Sequence, residues 1–249
     1  MELTENLKKE IKEHSLLESP NECCGVFLRE KGKIIYHKLI NNSTSPNSSF
    51  AISYYQLKDT NRDNIVGYFH SHKEGGFSSV DIQISEKTMF PSIIYKIKED
   101  DFEIYNPVGL EIPLIGRNYI IGIFDCIVLI RDYFERKFNI KMGELSNEST
   151  KLRYTLQGDL ERSECNFEGN TIFIDYFLFN GFVKVEKSQI KAHDIILIRH
   201  GGIKFASHAM IYIGNGQVMR HCYQISDISP YSELIKRLTV CVLRHKLVN

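Results

Sequence analysis

The chain of 249 residues is longer than one typical domain and carries 31 acidic and 31 basic residues. Two domains are therefore expected, and the absence of net charge disfavours nucleic acid as a main partner. Hydrophobic residues make up 43% of the chain, enough to bury a sizeable core, which excludes an intrinsically disordered protein.

No apolar run approaches the roughly 20 residues that a membrane-spanning helix needs, so we expect no membrane-spanning segment. The sequence MELTENLKKEIKEHSLL mixes both signs of charge and is unlike a secretion signal. Six cysteines occur without a C-x-x-C pair, which is typical of reduced thiols. Together these features predict folding in a cytoplasm.

In the first half of the chain, leucine and isoleucine residues between positions 3 and 17 recur on one helical face and predict a helix. The sequences CGVFLRE and KIIYHKLI flank a polar Lys-Gly pair and predict a β-hairpin, and NIVGYFHSH predicts a strand that ends in histidines. Ser78 is placed to cap a helix over 79–88. The sequence PSIIYKI predicts one more strand.

Two prolines and two glycines in YNPVGLEIPLIGR predict a boundary between domains 1–108 and 109–249. The second domain is predicted to begin with a helix at about 125–140. The sequences DIILIRH, HAMIYIG, QVMRHC and LTVCVLRH predict strands of an antiparallel sheet, with an Asn-Gly turn between the middle two. The apolar sequence IDYFLFNGFVKV predicts a buried strand, with an exposed docking surface as the alternative.

A candidate metal site lies at the end of the strand in the first half. His70 and His72 point to the same side of an extended strand because side chains alternate. Asp81, one turn into the next predicted helix, could supply a third ligand, and this set leaves zinc the open position that hydrolysis requires. Glu22 is a candidate base for water. On these residues alone, histidines in purely packing or solvent-exposed roles remain an alternative.

The pattern P-x-E-x-C-G, a strand ending in H-S-H, and S-x-x-D resembles the JAMM/MPN metalloprotease family. The resemblance implies an α/β sandwich with Zn²⁺ held by His70, His72 and Asp81. It also implies Glu22 as the base and Ser78 as a residue that stabilises the transition state. The loop KEGGF is shorter than the family's usual loop, but glycine tolerates the positive φ that a tight loop requires.

A candidate nucleophile begins the predicted helix of the second half. Cys126 would lie at the helix N-terminus, where unpaired amides and the helix dipole lower the pKa of a thiol. His208, at the start of a predicted strand, is a candidate base that the fold could bring within reach. For an isolated cysteine the alternative is a small buried apolar side chain.

The sequences GRNYIIGIFDC, HDIILI and SHAMIYIGNGQVMRH resemble the NlpC/P60 family of papain-like peptidases. The resemblance implies an α+β papain-like fold, with Cys126 as nucleophile and His208 as base. A third polar residue on the next strand usually orients the base, and its usual position falls on Arg220. Either a small bulge presents His221 at this position, which we expect, or Arg220 occupies it and the triad is defective. Tyr119 matches an aromatic position that helps to bind the oxyanion in this family. A tyrosine with a purely packing role is the alternative.

A JAMM-like module followed by an NlpC/P60 module resembles tail-tip proteins of lambda-like phages over nearly the whole chain. The resemblance implies hydrolysis of amide bonds in peptidoglycan stem peptides by the second module and zinc-dependent isopeptidase-like hydrolysis by the first. Other phage tail-tip proteins are the expected partners, and the host cytoplasm during assembly and the virion tail tip are the expected locations. The alternative is an assembly or plug factor in which one or both sites are inactive.

Overall fold

The structure is a computed structural model that describes residues 2–52, 56, 62–143, 171–199, 204–222 and 224–248. The chain divides into two compact units, Met1–Ile112 and Pro113–Asn249. The division falls within the stretch of prolines and glycines that marks the predicted boundary. Across the described ranges, no helix combines the length and apolar character needed to cross a membrane. Cys165 lies outside these ranges.

The N-terminal unit is built on a five-stranded sheet with the strand order β2-β1-β3-β4-β5. Its elements are α1 (Glu5–Glu18), β1 (Cys24–Glu30), β2 (Lys33–Leu39), β3 (Ile65–His72), α2 (Ser79–Thr88), β4 (Ser92–Lys96) and β5 (Asp101–Tyr105). β3 and β4 run parallel, and the other neighbouring pairs run antiparallel. A parallel pair needs a crossover connection, and α2 lies in it, so the end of β3 leads directly towards a helix N-terminus.

Side chains alternate between the two faces of a sheet, and along β1 the side chains on both faces are buried. Phe27 of β1 packs in a cluster with Leu7 and Ile11 of α1. Its neighbours Val26 and Leu28 belong to a second cluster on the opposite face. β1 is therefore buried on both faces, and it pairs directly with β3, the central strand of the sheet.

A buried carboxylate orders the segment that follows β5. Glu86 of α2 accepts hydrogen bonds from the Tyr105 hydroxyl and from the backbone N–H groups of Val108, Gly109 and Leu110. Buried polar groups need such partners. This single side chain therefore fixes a stretch that makes no regular secondary structure at the end of the unit.

The C-terminal unit contains a six-stranded sheet with the order β10-β9-β8-β7-β11-β6. Its elements are α3 (Cys126–Phe138), α4 (Ile172–Phe179), β6 (Phe182–Val185), β7 (Ile195–Ile198), β8 (His208–Gly214), β9 (Gln217–His221), β10 (Ser226–Pro230), α5 (Glu233–Leu238) and β11 (Thr239–His245). The neighbouring strands pair antiparallel. One core joins α3 and α4 to one face of the sheet, and α5 contributes Ile235 to a smaller cluster on the other face.

Elements with strong local signals agree with the prediction. Ser78 is the N-cap of α2, and its hydroxyl accepts from the N–H of Asp81. Asn215 and Gly216 both have positive φ, 51° and 68°, as a tight hairpin turn between β8 and β9 requires. These signals are local, so a sequence carries them without reference to the rest of the fold.

The prediction of a strand over IDYFLFNGFVKV is wrong for its first part. Residues Ile172–Phe179 form α4, and only Phe182–Val185 form a strand. A short continuous apolar run has neither the helical nor the strand period, so periodicity alone cannot separate the two. Within this helix Phe177 is fully buried, whereas Phe179 is largely exposed.

Candidate active sites

The three candidate metal ligands lie together at the junction of β3 and α2. The Nε2 atoms of His70 and His72 are 2.9 Å apart. Asp81 Oδ1 lies 3.3 Å from His70 Nε2, and Asp81 Oδ2 lies 3.8 Å from His72 Nε2. Tetrahedral zinc with ligand bonds of roughly 2.0–2.2 Å requires donor atoms about 3.3 Å apart. The two nitrogens and one carboxylate therefore fit zinc in both chemistry and spacing.

The charge states of these residues also suit a metal ion. Burial lowers the pKa of His72 and so favours the neutral imidazole, which is the form that binds metals. Burial alone would raise the pKa of Asp81, but His70 and the hydrogen bonds from Ser78 lower it to about 2. A neutral imidazole and an ionised carboxylate are therefore present together at neutral pH.

Asp81 also serves the helix in which it lies. Its Oδ2 accepts from the backbone N–H of Ser78 at 2.8 Å and from the Ser78 hydroxyl at 2.7 Å. In return the Ser78 Oγ accepts from the backbone N–H of Asp81 at 3.2 Å, which completes a capping box. Asp81 thus caps α2 with one oxygen and turns the other to His70. Ser78 lies within the cluster, and its hydroxyl proton is directed at Asp81.

Glu22, the candidate base, lies next to the cluster. β1 and β3 pair with Cys24 opposite His70, and continuing this register by two residues places Glu22 across from His72. Burial raises the pKa of Glu22 to about 7, with smaller effects from His70 and Asp81. A carboxyl group with a pKa near neutrality suits general acid–base chemistry.

The short loop between the histidines and Ser78 turns at a glycine. Gly75 has a φ of +83°, a conformation that glycine adopts without steric cost. At Gly76 a Cβ would lie 3.0 Å from Glu103 Oε2. The two glycines thus allow the shortened loop to connect β3 to α2 with all three candidate ligands in contact.

In the C-terminal unit, Cys126 is the first residue of α3, directly after the N-cap residue Asp125. The Asp125 Oδ1 accepts from the N–H groups of Ile127 and Val128 at 2.9 and 3.0 Å, and its Oδ2 accepts from Gly122 N–H at 2.6 Å. The carboxylate therefore caps the first turn of α3 through the N–H groups of Ile127 and Val128.

The expectation of a lowered thiol pKa at Cys126 is wrong for this structure. The side chain is 3% exposed, and burial raises its pKa to about 12. The backbone N–H groups of Ala209, Ile127 and Cys126 favour the thiolate, whereas the neighbouring Cys222 disfavours it. Because Ala209 directly follows His208, the thiol lies against the start of β8. Formation of a thiolate at neutral pH therefore requires a base.

His208 is the first residue of β8, and its Nε2 lies 3.1 Å from the Sγ of Cys222. β8 and β9 pair with Met210 opposite Arg220, and continuing this register by two residues places Cys222 across from His208. Directly opposite residues share one face of a sheet. The sequence prediction missed Cys222, although its position in line with Arg220 on the same face was a usable signal.

His221 points away from the ring of His208. The register places it across from Ala209, which packs in the core beneath α3. The His221 ring meets Tyr119 edge to face, with centroids 5.1 Å apart, so Tyr119 has a packing partner. Neither nitrogen of His221 has a well-formed hydrogen bond to another described residue. Burial lowers the pKa of His221 to about 4, which keeps the ring neutral.

Arg220 shares a face with His208 but is committed to another partner. Its Nε donates to Asp227 Oδ1 at 2.8 Å, and its Nη2 donates to Asp227 Oδ2 at 3.2 Å. A guanidinium has no lone pair that can accept a hydrogen bond from an imidazole N–H. Arg220 therefore stabilises the pairing of β9 with β10 and cannot orient the base by accepting its proton.

Two family profiles match the chain, and each covers one unit. Residues 4–106 match prokaryotic homologs of the JAB domain, and residues 116–244 match the NlpC/P60 family. The second match spans more than half of the chain. The chain belongs to the NlpC/P60 family. The predicted fold class, a JAB-type α/β sandwich followed by an α+β papain-like NlpC/P60 domain, is confirmed in the predicted order.

One relative extends the likeness to both units. This NlpC/P60 protein is 25% identical over 239 residues to the tail tip assembly protein K of Escherichia phage N15, covering 94% of this chain and 91% of that protein. The tail tip assembly protein K of Escherichia phage lambda is 26% identical over 134 residues, covering 53% of this chain and 59% of that protein. An NlpC/P60 family protein from Bacillus cereus matches with a TM-score of 0.33 and 14% identity, covering 94% of this chain and 66% of that one.

Proposed function

We propose that this NlpC/P60 protein is a phage tail-tip protein with two peptidase modules. The C-terminal unit hydrolyses amide bonds in peptidoglycan stem peptides through Cys126 and His208. The N-terminal unit is a zinc-dependent, isopeptidase-like hydrolase. The observation that carries the proposal is the position of the Cys126 thiol, at a helix N-terminus and against the strand residue that follows His208. The likeness to the phage N15 protein along both units supports the tail-tip setting.

The cysteine mechanism follows from the burial of the thiol. Since the pKa of Cys126 is raised to about 12, the proton must leave as the sulfur attacks. His208 accepts that proton while Sγ bonds to the amide carbonyl carbon, and it returns the proton to the nitrogen as the C–N bond breaks. His208 then deprotonates the water that hydrolyses the thioester. Asp125 holds the first turn of α3 in place throughout.

In the N-terminal unit, His70, His72 and Asp81 are the residues that would hold zinc. Zinc, when bound, supplies Lewis acidity for amide hydrolysis. Glu22, across from His72, accepts a proton from the attacking water and passes it to the leaving nitrogen. Ser78 exchanges its hydrogen bond to Asp81 for one to the developing oxyanion.

The second candidate is a tail-tip assembly or plug factor with one or both sites inactive. Two observations favour it: Cys126 is almost fully buried, and the Ser78 hydroxyl is engaged by Asp81. Complementation of a phage that lacks its own copy separates the candidates. Normal assembly and normal infectivity with both Cys126→Ala and His72→Ala would reject an enzymatic role.

Mass spectrometry of muropeptides released from purified peptidoglycan tests the leading proposal. The arms are the wild type, Cys126→Ala, the wild type with a chelator, and Cys241→Ala as a control for loss of a half-buried thiol in the same unit. We expect release by the wild type, the chelated protein and Cys241→Ala, and no release by Cys126→Ala. A folded wild type that releases nothing from several wall types would favour the assembly factor.

A further inference from the structure

The third group at the cysteine site is a thiol that the sequence prediction did not consider. Cys222 directly follows β9 and is half-buried. Its Sγ lies 3.1 Å from the Nε2 of His208, within the accepted reach for a hydrogen bond to sulfur. Cys222 is also close enough to Cys126 to disfavour the thiolate there. Two thiols and one imidazole therefore share a single neighbourhood.

The contact involves one particular nitrogen of the ring. An imidazole that accepts a proton at Nδ1 must already carry its other proton on Nε2. A group that accepts a hydrogen bond from Nε2–H therefore selects the reactive tautomer and fixes the plane of the ring. Sulfur is a weak acceptor, but the Cys222 Sγ lies beside Nε2, the nitrogen that must carry the proton. Burial raises the pKa of Cys222, so the thiol stays neutral at neutral pH.

The sequence offered His221 and Arg220 for the orienting role, but neither places an acceptor atom beside Nε2 of His208. His221 faces the opposite side of the sheet and packs on Tyr119. Arg220 is on the correct face, but it donates to Asp227 and has no acceptor atom. Among these three neighbouring positions, Cys222 alone places an acceptor beside Nε2 of His208.

We propose that Cys222 is the positioning residue of the Cys126–His208 pair, holding His208 at Nε2 so that Nδ1 is left for the thiol of Cys126. The assignment rests on the proposed peptidase function of this unit. Cys222 lies two residues after Arg220, the usual position of the orienting group, and on the same face of the sheet. No bulge is therefore needed to direct it at His208. Cys222 itself neither bonds to substrate nor transfers the proton.

Kinetics of three variants test the proposal. Cys222→Ala removes the acceptor, Cys222→Asn replaces it with an amide oxygen, and Cys241→Ala is the control. For cleavage of a peptidoglycan stem peptide, Cys222→Ala is expected to lower kcat about tenfold. This is well below the roughly 10⁴-fold cost of losing a buried carboxylate partner. KM should stay unchanged, and Cys222→Asn should restore kcat because an amide oxygen is a stronger acceptor than sulfur.

A second readout does not need substrate turnover. The rate of Cys126 alkylation by iodoacetamide is followed against pH by peptide mass spectrometry, with thermal unfolding as a check that each variant is folded. The inflection is expected at higher pH in Cys222→Ala than in Cys222→Asn, and Cys241→Ala should match the wild type. The direction of the shift is decisive, because losing Cys222 merely as a neighbouring thiol would lower the pKa of Cys126 and move the inflection to lower pH.

Three outcomes of these experiments decide whether Cys222 positions His208. Unchanged kcat and an unchanged alkylation profile in Cys222→Ala overturn the proposal. A shift produced by His221→Leu, with none from Cys222→Ala, also overturns it and assigns the orienting role to His221. A shifted alkylation profile with no cleavage of stem peptides by any form supports the role of Cys222 and rejects the peptidase function itself.

Discussion

The two candidate sites share an architecture, a strand end beside a helix N-terminus, but they differ in how far apart their residues lie in the sequence. His70, His72 and Asp81 lie on consecutive elements, so the path from β3 to α2 is enough to bring them together. Cys126 and His208 come from distant elements, and their neighbours depend on how β8 pairs with β9. A local site can thus be predicted from spacing, whereas a site built across strands also requires the register.

The helix N-termini also act differently at the two sites. At α2, one carboxylate both caps the helix and faces the histidines, so Asp81 contributes to both tasks. At α3 the two tasks belong to neighbouring residues: Asp125 caps the helix, and Cys126 is the candidate nucleophile. Burial, rather than a lack of helix amides, therefore raises the pKa of Cys126.

The largest effect is expected from removing the candidate base His208, which should affect the cysteine site and leave the metal site unchanged. His208→Ala should lower kcat/KM for stem peptides by about 10⁴-fold or more, because a buried thiol without a base cannot ionise at neutral pH. Zinc binding by the N-terminal unit should be unaffected. Peptide cleavage assays and metal analysis of the same preparation measure both. Cleavage within tenfold of the wild type would contradict the assignment of His208.

The reverse variant is His72→Ala. Loss of a metal ligand should weaken zinc binding by more than about 100-fold, which exceeds the usual cost of losing a supporting residue around a metal. Competition with a chromophoric chelator measures the affinity, and His37→Ala, an exposed histidine of β2, is the matched control. Equal zinc affinity in His72→Ala and His37→Ala would show that His72 is not a zinc ligand.

The neutral His221 predicts a pH effect on the stability of the C-terminal unit. Its folded pKa of about 4 lies below its ordinary value of 6.5, so the unfolded state binds the proton first as pH falls. Stability is therefore full above about pH 6.5 and declines towards pH 4, by about 2 kcal/mol at pH 5.

Urea unfolding at pH 7 and pH 5 measures this effect. His221→Leu removes the titrating group, so its stability should fall less than that of the wild type between the two pH values. A parallel decline in the two proteins would show that another group controls the pH response. It would also remove the evidence that His221 is held neutral.

The smallest effect is expected at the ion pair between β9 and β10. Arg220 and Asp227 have side chains that are 31% and 48% exposed, and such pairs contribute about 0–1 kcal/mol. Asp227→Asn should therefore change the free energy of unfolding by less than about 1 kcal/mol and leave kcat unchanged. A large fall in kcat, measured with stem peptides, would indicate that Arg220 takes part in the site after all.

Local signals explain what the sequence could predict. Ser78 as N-cap, the Asn215-Gly216 turn and the cluster of His70 and His72 all depend on neighbours within one or two elements. The group beside His208 could not be predicted in this way. One residue of register decides which face a side chain occupies, and pairing of Met210 with Arg220 puts His221 on the far face.

The pKa of the Cys126 thiol could not be predicted from the sequence for a related reason. Its position at the start of a helix was correctly predicted, but its pKa depends on burial by elements distant in the chain. The structure of the apolar segment that forms α4 also depends on distant elements. Its packing in the core, rather than a period in its sequence, determines that it is helical. Spacing therefore located the candidate nucleophile, while packing sets its chemistry.

The claim that Cys126 is the nucleophile is tested most directly by trapping the intermediate. Acid quenching of the wild type during turnover of a stem peptide, followed by peptide mapping, shows which side chain carries the acyl group. We expect a mass increase on the peptide that contains Cys126, equal to the acyl part of the substrate. Acylation of Cys222 in place of Cys126, or cleavage that continues in Cys126→Ala, would contradict it.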